Sequence, residues 1–463
     1  MKKLVTLLFL LNVLFTSAQV FDVETILSSG ADDKRINIVI LADGYQQAEL
    51  GQFITDATNI TNELFSQSPY AEYKNYFNVY AIKVPSNGSG ADHPGTATDV
   101  NEPVFPVSDV DNYFGSTFDF ANIHRLLVPV SNSAITNVLA ANFPLYDQVL
   151  ILVNSPYYGG SGGQYATTSL EASAGEIAIH EMGHSFANLA DEYWAGNGFA
   201  AERINMTQET NPASVRWTNW VGDNGVGIYQ HCCGGTSASW YRPHQSCKMR
   251  FLGVPFCSVC SEGTIERIHN LVSSIDSFTP ITTVFATNSF PVDFNLNLIA
   301  PNPNTLDRNW MVNGSNFAND VDAISLQMTD LVVGANTVVA LVEDTTSLLR
   351  VDNHNTIHLN SVTWNVEYDP TLGITDILAE TSKLKIDIFP NPGDDFVNLK
   401  FTTDAVKDFS AEVYSLDGKL IQSVPSNSSD LLSIDIANFS QGIYLVKIYH
   451  ENTYISTSRI VKK

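Results

Sequence analysis

The sequence predicts a mixed α/β domain followed by two small all-β sandwich domains. Three observations carry that expectation. Between Asp22 and about Ile275, short apolar runs of strand character alternate with amphipathic helical ones. Near Ser277-Phe-Thr-Pro280 the helical signal stops, and short alternating runs rich in Val, Thr and aromatic residues take over, spaced by Asn, Pro and Gly turns. A linker over 369–382 then leads into 383–463, where proline pairs precede further alternating runs. A length of 463 residues allows two to four domains with an ample core, and 44% hydrophobic residues is too apolar for a disordered chain.

The first element, residues 1–18, is a secretory signal. Lys2 and Lys3 precede a mostly apolar stretch from Leu4 to Phe15, and small residues stand ahead of Gln19. That stretch is too short to span a bilayer, and no later segment offers eighteen uninterrupted apolar residues, so no transmembrane segment is expected. Removing the two lysines takes the formal charge from −25 to −27. So acidic a chain argues against nucleic acid and anionic membranes as partners. Within 22–275, Ile36–Leu41 and Val149–Val153 read as buried strands and Ile54–Phe65 as an amphipathic helix. After the second strand comes Asn154-Ser-Pro-Tyr-Tyr-Gly-Gly-Ser-Gly-Gly-Gln164, which lacks the spacing and lysine of a phosphate cradle. It is either a mobile rim of a cleft or a plain connection.

Chemistry concentrates in the next element. Leu170–Ile179 is rich in helix formers and free of proline, and it runs into His180-Glu181-Met182-Gly183-His184. Two histidines four apart project from one helix face, so both imidazoles can reach one metal ion. The glutamate between them can take a proton from a metal-activated water. This is the H-E-x-x-H arrangement of a zinc hydrolase.

A catalytic zinc takes three protein ligands and keeps one position open. Asp191 is too far along a straight helix to share the ion, about 10 Å at 1.5 Å per residue, so the helix must end and the chain double back. Asn188, tolerant of a left-handed helix end, is the natural place. Asp191 and Glu192 are the candidates for third ligand, the competing reading being a solvated acidic helix terminus; the resemblance to the metzincin zinc peptidases, whose ligand follows three residues after the turn, favours Asp191.

The run His180-Glu-Met-Gly-His-Ser-Phe-Ala-Asn-Leu-Ala-Asp-Glu-Tyr193 is similar to the metzincin pattern, with Asn188 in place of its glycine and one residue late. It resembles more closely the signature of the M64 zinc metallopeptidases, the group named for an IgA-cleaving member. Ile36–Tyr45, Tyr70–Tyr80, Tyr241–Arg250 and Phe256–Glu262 also resemble that family, over roughly 24–275. The resemblance implies an α/β zincin-like catalytic domain followed by the two all-β sandwich domains. It also implies one catalytic Zn2+ held by His180, His184 and Asp191, with Met249 as the methionine turn, a soft floor beneath the histidines.

Cys232, Cys233, Cys247, Cys257 and Cys260 cluster in the same downstream region. In a reducing compartment this spacing would suggest a structural zinc knot. In an exported chain, disulfides are expected instead: two bridges and a spare thiol, pairing open, stapling the loops around Met249. Further on, Phe294–Ile299, Ala323–Met328, Asn336–Val342 and Ser361–Tyr368 read as strands of an immunoglobulin-like sandwich, 279–368, a spacer or accessory binding module. In the last segment Ile388–Pro392, Val413–Lys419, Gln441–Lys447 and the basic end Val461-Lys-Lys463 resemble the type A C-terminal sorting domain of type IX secretion. That resemblance implies passage through the type IX machinery, and release or attachment at the outer cell surface.

The function expected from these residues is zinc-dependent endopeptidase action on a protein or peptide substrate, with Glu181 as general base. Tyr193, Tyr241 and His244 are candidates for stabilising the oxyanion, and His231 and His269 read as structural. Two other readings remain open on the residues alone. One is a surface adhesin or glycan-binding protein with a vestigial metal domain, against which the unbroken His180/Glu181/His184 set argues. The other is a metal-dependent amidase or esterase.

Overall fold

The computed structural model describes residues 20–232, 234–370, 385–402, 408–416, 418–427, 430–450 and 453–463. The secretory signal at 1–18, Cys233 and most of the expected linker at 369–382 lie outside the described residues. The chain divides into two compact units, one through Tyr368 and one over Asp369–Lys463.

The first unit opens with β1 (Val23–Leu27), β2 (Ile36–Asp43), α1 (Leu50–Leu64), β3 (Phe77–Ile82), β4 (Ser116–Thr117), β5 (Val128–Pro129) and α2 (Asn132–Asn142). It continues with β6 (Gln148–Val153), β7 (Gly160–Ser161), β8 (Ala166–Thr168), α3 (Ala174–Ser185), β9 (Tyr229–Gln230), β10 (Tyr241–Arg242) and α4 (Ser258–Leu271). Six strands form one sheet in the order β1-β3-β2-β6-β8-β7, parallel from β3 to β8 with an antiparallel strand at each edge. Continuous apolar runs suit central parallel strands covered on both faces. Alternate residues of β2 divide accordingly: Ile36, Ile38, Ile40 and Ala42 join the core under α1, α3 and α4, whereas Val39 and Leu41 face α2. The expected helix at Ile54–Phe65 begins a turn earlier, at Leu50, because Gln46 and Glu49 form a capping box over the preceding turn.

A β-sandwich follows: β11 (Ile275–Thr279), β12 (Val284–Thr287), β13 (Val292–Leu298), β14 (Leu306–Val312), β15 (Ser315–Asn319), β16 (Ala323–Leu326), β17 (Gly334–Asp344), the short α5 (His354–Ile357) and β18 (Asn360–Tyr368). Sheets β11-β13-β16 and β12-β18-β17-β14-β15 close on one core, in which Trp310 and Trp364 stack at 5.9 Å. The first strand begins at Ile275, within the region expected to end the preceding domain. The sandwich is tied to the α/β region by buried polar groups: Asp344 accepts from Tyr73 Oη at 2.5 Å and lies 3.0 Å from His269 Nε2, while Glu266 faces His354 and His358.

The second unit holds β19 (Lys385–Phe389), β20 (Phe396–Thr402), β21 (Phe409–Ser415), β22 (Leu420–Asn427), β23 (Leu431–Asp435), β24 (Gly442–His450) and β25 (Thr453–Lys462). Sheets β19-β20-β23 and β22-β21-β24-β25 enclose Val397, Leu399, Phe401, Val413, Ile434, Val446 and Ile460. Among the described residues no helix is long and apolar enough to cross a membrane.

Candidate metal centre

Helix α3 carries His180 and Glu181, with His184 a turn beyond, to a cleft of about 320 Å³ lined by Arg125, Tyr158, Gly160, Ile177, His180, Glu181, Tyr193 and Arg250–Leu252. Two roomier grooves, about 460 and 570 Å³, have no histidine or cysteine in their walls. The helix ends where the local chemistry requires. Asn188 adopts φ 56° and donates its backbone N–H to His184 O at 3.1 Å, a left-handed helix stop. The chain then doubles back, so that Leu189 O meets His184 Nδ1 at 2.8 Å and Asp191 Oδ1 lies 3.2 Å from both His180 Nε2 and His184 Nε2.

Glu192 goes elsewhere. It is fully buried with Cys247, Cys257 and Cys260, away from the histidine pair. Of the two acidic candidates, Asp191 alone joins the histidines.

Tautomers fix the chemistry of the His180/His184/Asp191 group. His180 Nδ1 lies 2.8 Å from Lys248 O, and His184 Nδ1 has the equivalent bond to Leu189 O. A carbonyl oxygen only accepts, so both Nδ1 atoms carry the proton and both Nε2 atoms present lone pairs. Those lone pairs face each other at 3.2 Å, and the Asp191 carboxylate faces both. Three converging acceptors repel unless a cation or a proton lies among them. With ligand bonds of about 2.0–2.1 Å, edges near 3.2 Å suit a tetrahedral zinc, and the donor set of two imidazoles and a carboxylate fits that ion. Without an ion, burial opposes charge on His184 but the Asp191 carboxylate overrides it, lifting the imidazole to about 9. The same partners hold Asp191 well below the usual carboxylate range despite its burial.

Met249 lies fully buried beneath the helix, its sulfur so near Gly183 that a methyl group there would stand 2.5 Å from Sδ. Its carbonyl accepts from Glu192 N at 2.7 Å, and neighbouring Lys248, itself buried and paired with Glu176, supplies the carbonyl that orients His180. The glycine-rich segment at 154–164 forms part of the site. Gly162 passes so close over α3 that a methyl there would lie 2.7 Å from His184 Cβ and 2.8 Å from Glu181 Oε2. The outer edge of β7 at Gly160 is occupied by Arg125 and Leu127.

Of the three oxyanion candidates, only Tyr193 lines the cleft. Burial, with Asp191 nearby, pushes its phenol up to about 12, so it remains a donor near neutral pH. Tyr241 and His244 are not among the cleft residues, and His231 and His269 are buried outside it. Arg125 was not anticipated. Its guanidinium donates to Tyr193 Oη at 3.3 Å and covers that ring at 5.4 Å. It follows His124, which pairs with Glu102 at 2.5 Å and sits 3.4 Å from Asp119 in an irregular loop bent by left-handed residues Asp119, Ala121 and Asn122.

Among Cys247, Cys257 and Cys260 the expected disulfides are not formed: Cys247 Sγ and Cys260 Sγ are 3.6 Å apart, against about 2.05 Å for a bond. The three described buried cysteines gather around Glu192 instead, a partner that cysteine spacing alone does not reveal.

Comparison with known proteins matches residues 24–231 to the family described as IgA Peptidase M64, and residues 387–463 to the Secretion system C-terminal sorting domain. The first match stops short of Cys247, Met249 and Cys260. No curated protein matches the chain. Similar solved structures include dimeric latent PorU from Porphyromonas gingivalis, at 14% identity, 41% of this chain, 20% of that one and a TM-score of 0.16. They also include SGBP-B of the Bacteroides ovatus mixed-linkage glucan utilization locus, at 11%, 40%, 47% and 0.16. Bacteroides uniformis beta-glucuronidase 3 follows at 10%, 49%, 28% and 0.18. The chain spans less than half the length of each, and likeness at that level says nothing of what it does. The two family matches assign residues 24–231 to the IgA Peptidase M64 family and residues 387–463 to the sorting domains of type IX secretion, which places the protein at the exterior or the outer surface of the cell.

Proposed function

We propose that the chain is a secreted zinc-dependent endopeptidase in which His180, His184 and Asp191 hold one Zn2+ and Glu181 is the general base. The observation that carries this reading is the set of three mutually facing acceptors, His180 Nε2, His184 Nε2 and Asp191 Oδ1, with both Nδ1 protons already committed. Zinc bound there would polarise the scissile carbonyl and make water a nucleophile near neutral pH.

The remaining steps belong to the chain. Glu181 takes the proton of the attacking water and delivers it to the leaving amine. Burial raises its carboxyl from the ordinary range, against the pull of His180 and His184, which strengthens it as a base. Tyr193 donates to the developing oxyanion, held in place by Arg125. In this reading residues 22–275 form a zincin-like catalytic domain, 279–368 a sandwich module and 369–382 a linker ahead of the sorting domain at 383–463.

The test is zinc content and casein hydrolysis by the mature protein beside three variants. Glu181→Ala should keep the metal and lose activity, whereas Asp191→Ala should lose the metal. Tyr193→Phe should keep the metal and lose about 10- to 1000-fold in kcat, the range for one oxyanion donor. A wild type that takes up no zinc, or a Glu181→Ala variant that still cuts, ends the proposal.

A further inference from the structure

We propose a second metal site, a structural zinc held by Cys247, Cys257, Cys260 and Glu192, which locks the floor of the first site to its third ligand. The four donor atoms lie within 4.8 Å of one another, and all four residues are buried. Cys247 Sγ stands 3.6 Å from Cys260 Sγ, while Glu192 Oε1 is 3.1 Å from Cys260 Sγ and 3.8 Å from Cys257 Sγ. A tetrahedral zinc with sulfur at about 2.3 Å and oxygen at about 2.0–2.2 Å has edges of roughly 3.5–3.8 Å, close to these separations.

A second observation points the same way. Glu192 has no exposed surface, and its Oε2 has no hydrogen-bond partner. Its remaining company is weak S–H donors and the Asn205 amide at 3.3 Å from Oε1. Without a cation, such a group of buried donors is poorly paired. The surroundings favour thiolates once a cation is present. Cys257 stands at the N-cap position of helix α4 and Cys260 lies in its first turn, at the positive end of the helix dipole. Cys257 N also donates to Cys247 Sγ at 3.3 Å. Three thiolates and a carboxylate in a closed tetrahedron are a structural rather than a catalytic set, and their softness selects zinc over magnesium or calcium. Binding releases the thiol protons to solvent and leaves no open position.

The position of the cluster gives it a role. Glu192 is covalently next to Asp191, and Cys247 is two residues before Met249. Glu192 N donates to Met249 O, and Lys248 O orients His180. A zinc on Glu192 and Cys247 therefore clamps the ligand segment and the supporting segment together, and acts on the first site by positioning.

Zinc K-edge absorption on the mature full chain reads this directly, because among the described residues the other clusters of potential ligands (His180/His184/Asp191, His93/Glu102/Asp119/His124 and Glu266/His354/His358) contain no sulfur. The expected spectrum includes a sulfur shell at about 2.3 Å. It should persist in His180→Ala/His184→Ala and in Cys232→Ser/Cys233→Ser, and vanish in Cys257→Ser/Cys260→Ser. In that last variant the first site should hold zinc about 10- to 100-fold more weakly, as for lost support around a metal ligand. Non-reducing peptide mapping should find Cys247, Cys257 and Cys260 unlinked to one another. Zinc bound through nitrogen and oxygen alone, no bound zinc, or a disulfide joining two of these three cysteines overturns the proposal. The wild-type spectrum and peptide map decide the matter even if the cysteine variants fail to fold.

Discussion

Replacing Gly162 by alanine adds one methyl group at the surface, yet the structure predicts a large loss of activity. The new Cβ would stand 2.7 Å from His184 Cβ and 2.8 Å from Glu181 Oε2, where ordinary contact begins at 3.4 Å. One of those neighbours is the first atom of a helix side chain and cannot swing away, so the loop must lift by about 0.7 Å or Glu181 must turn aside. Displacements approaching 1 Å at a catalytic group cost up to about 100-fold, so kcat/KM should fall about 10- to 100-fold, or about 1.4 to 2.7 kcal/mol in the barrier. Gly162 is exposed, so the melting temperature should barely move, within about 0.5 kcal/mol of stability. Gly163→Ala is the matched control, since a Cβ there meets nothing within 4 Å. The assay is hydrolysis of a quenched fluorescent casein, with zinc content and thermal melting measured on the same preparations. Equal activity in the two variants would refute both the pressure of this loop on Glu181 and the proposed role of that residue as base.

Two further outcomes follow from the same kind of accounting. Gly183→Ala would gain about 1 kcal/mol in helix propensity at an open site, but its Cβ would meet Met249 Sδ at 2.5 Å, and overpacking costs about 1–3 kcal/mol. Chemical denaturation should show no gain or a net loss, and dialysis against a chelator should strip zinc faster than from wild type; a more stable variant with unchanged zinc retention would contradict the tight floor. At Asp344, burial works to raise the carboxyl, but bonds from His269, Thr305 and Tyr73 win and hold it below its ordinary value of 3.8. A depressed carboxyl stabilises the fold above its unfolded pKa and loses that contribution as pH falls through the folded one. Asp344→Asn should therefore lower the melting temperature at pH 7 and flatten its decline below about pH 4, as calorimetry across pH would show; an unchanged slope would sink the assignment.

What the sequence disclosed and what it hid divide along the range of the interactions. His180, Glu181 and His184 share a helix face by local geometry, and the turn at Asn188 rests on a local backbone preference, so their convergence with Asp191 could be anticipated within a dozen residues. The strand at Leu306–Val312 was hidden because Arg308 interrupts its inward row, its charge turned instead to Asp322 and to backbone oxygens. Arg125 was hidden for a different reason: it reaches Tyr193 from an irregular loop whose course depends on three left-handed residues and a distant edge strand, and neither leaves a periodic trace. The cysteines show the limit of compartment rules. Their clustering was plain, but a rule that counts only cysteines pairs them with one another, and the group that completes the set is a carboxylate more than fifty positions upstream. In the irregular segment after α3 the neighbouring carboxylates of Asp191 and Glu192 turn to different groups. The chain uses that divergence: one carboxylate faces the histidines and the other the cysteines, so a substitution chosen to test either cluster must be checked for its effect on the other.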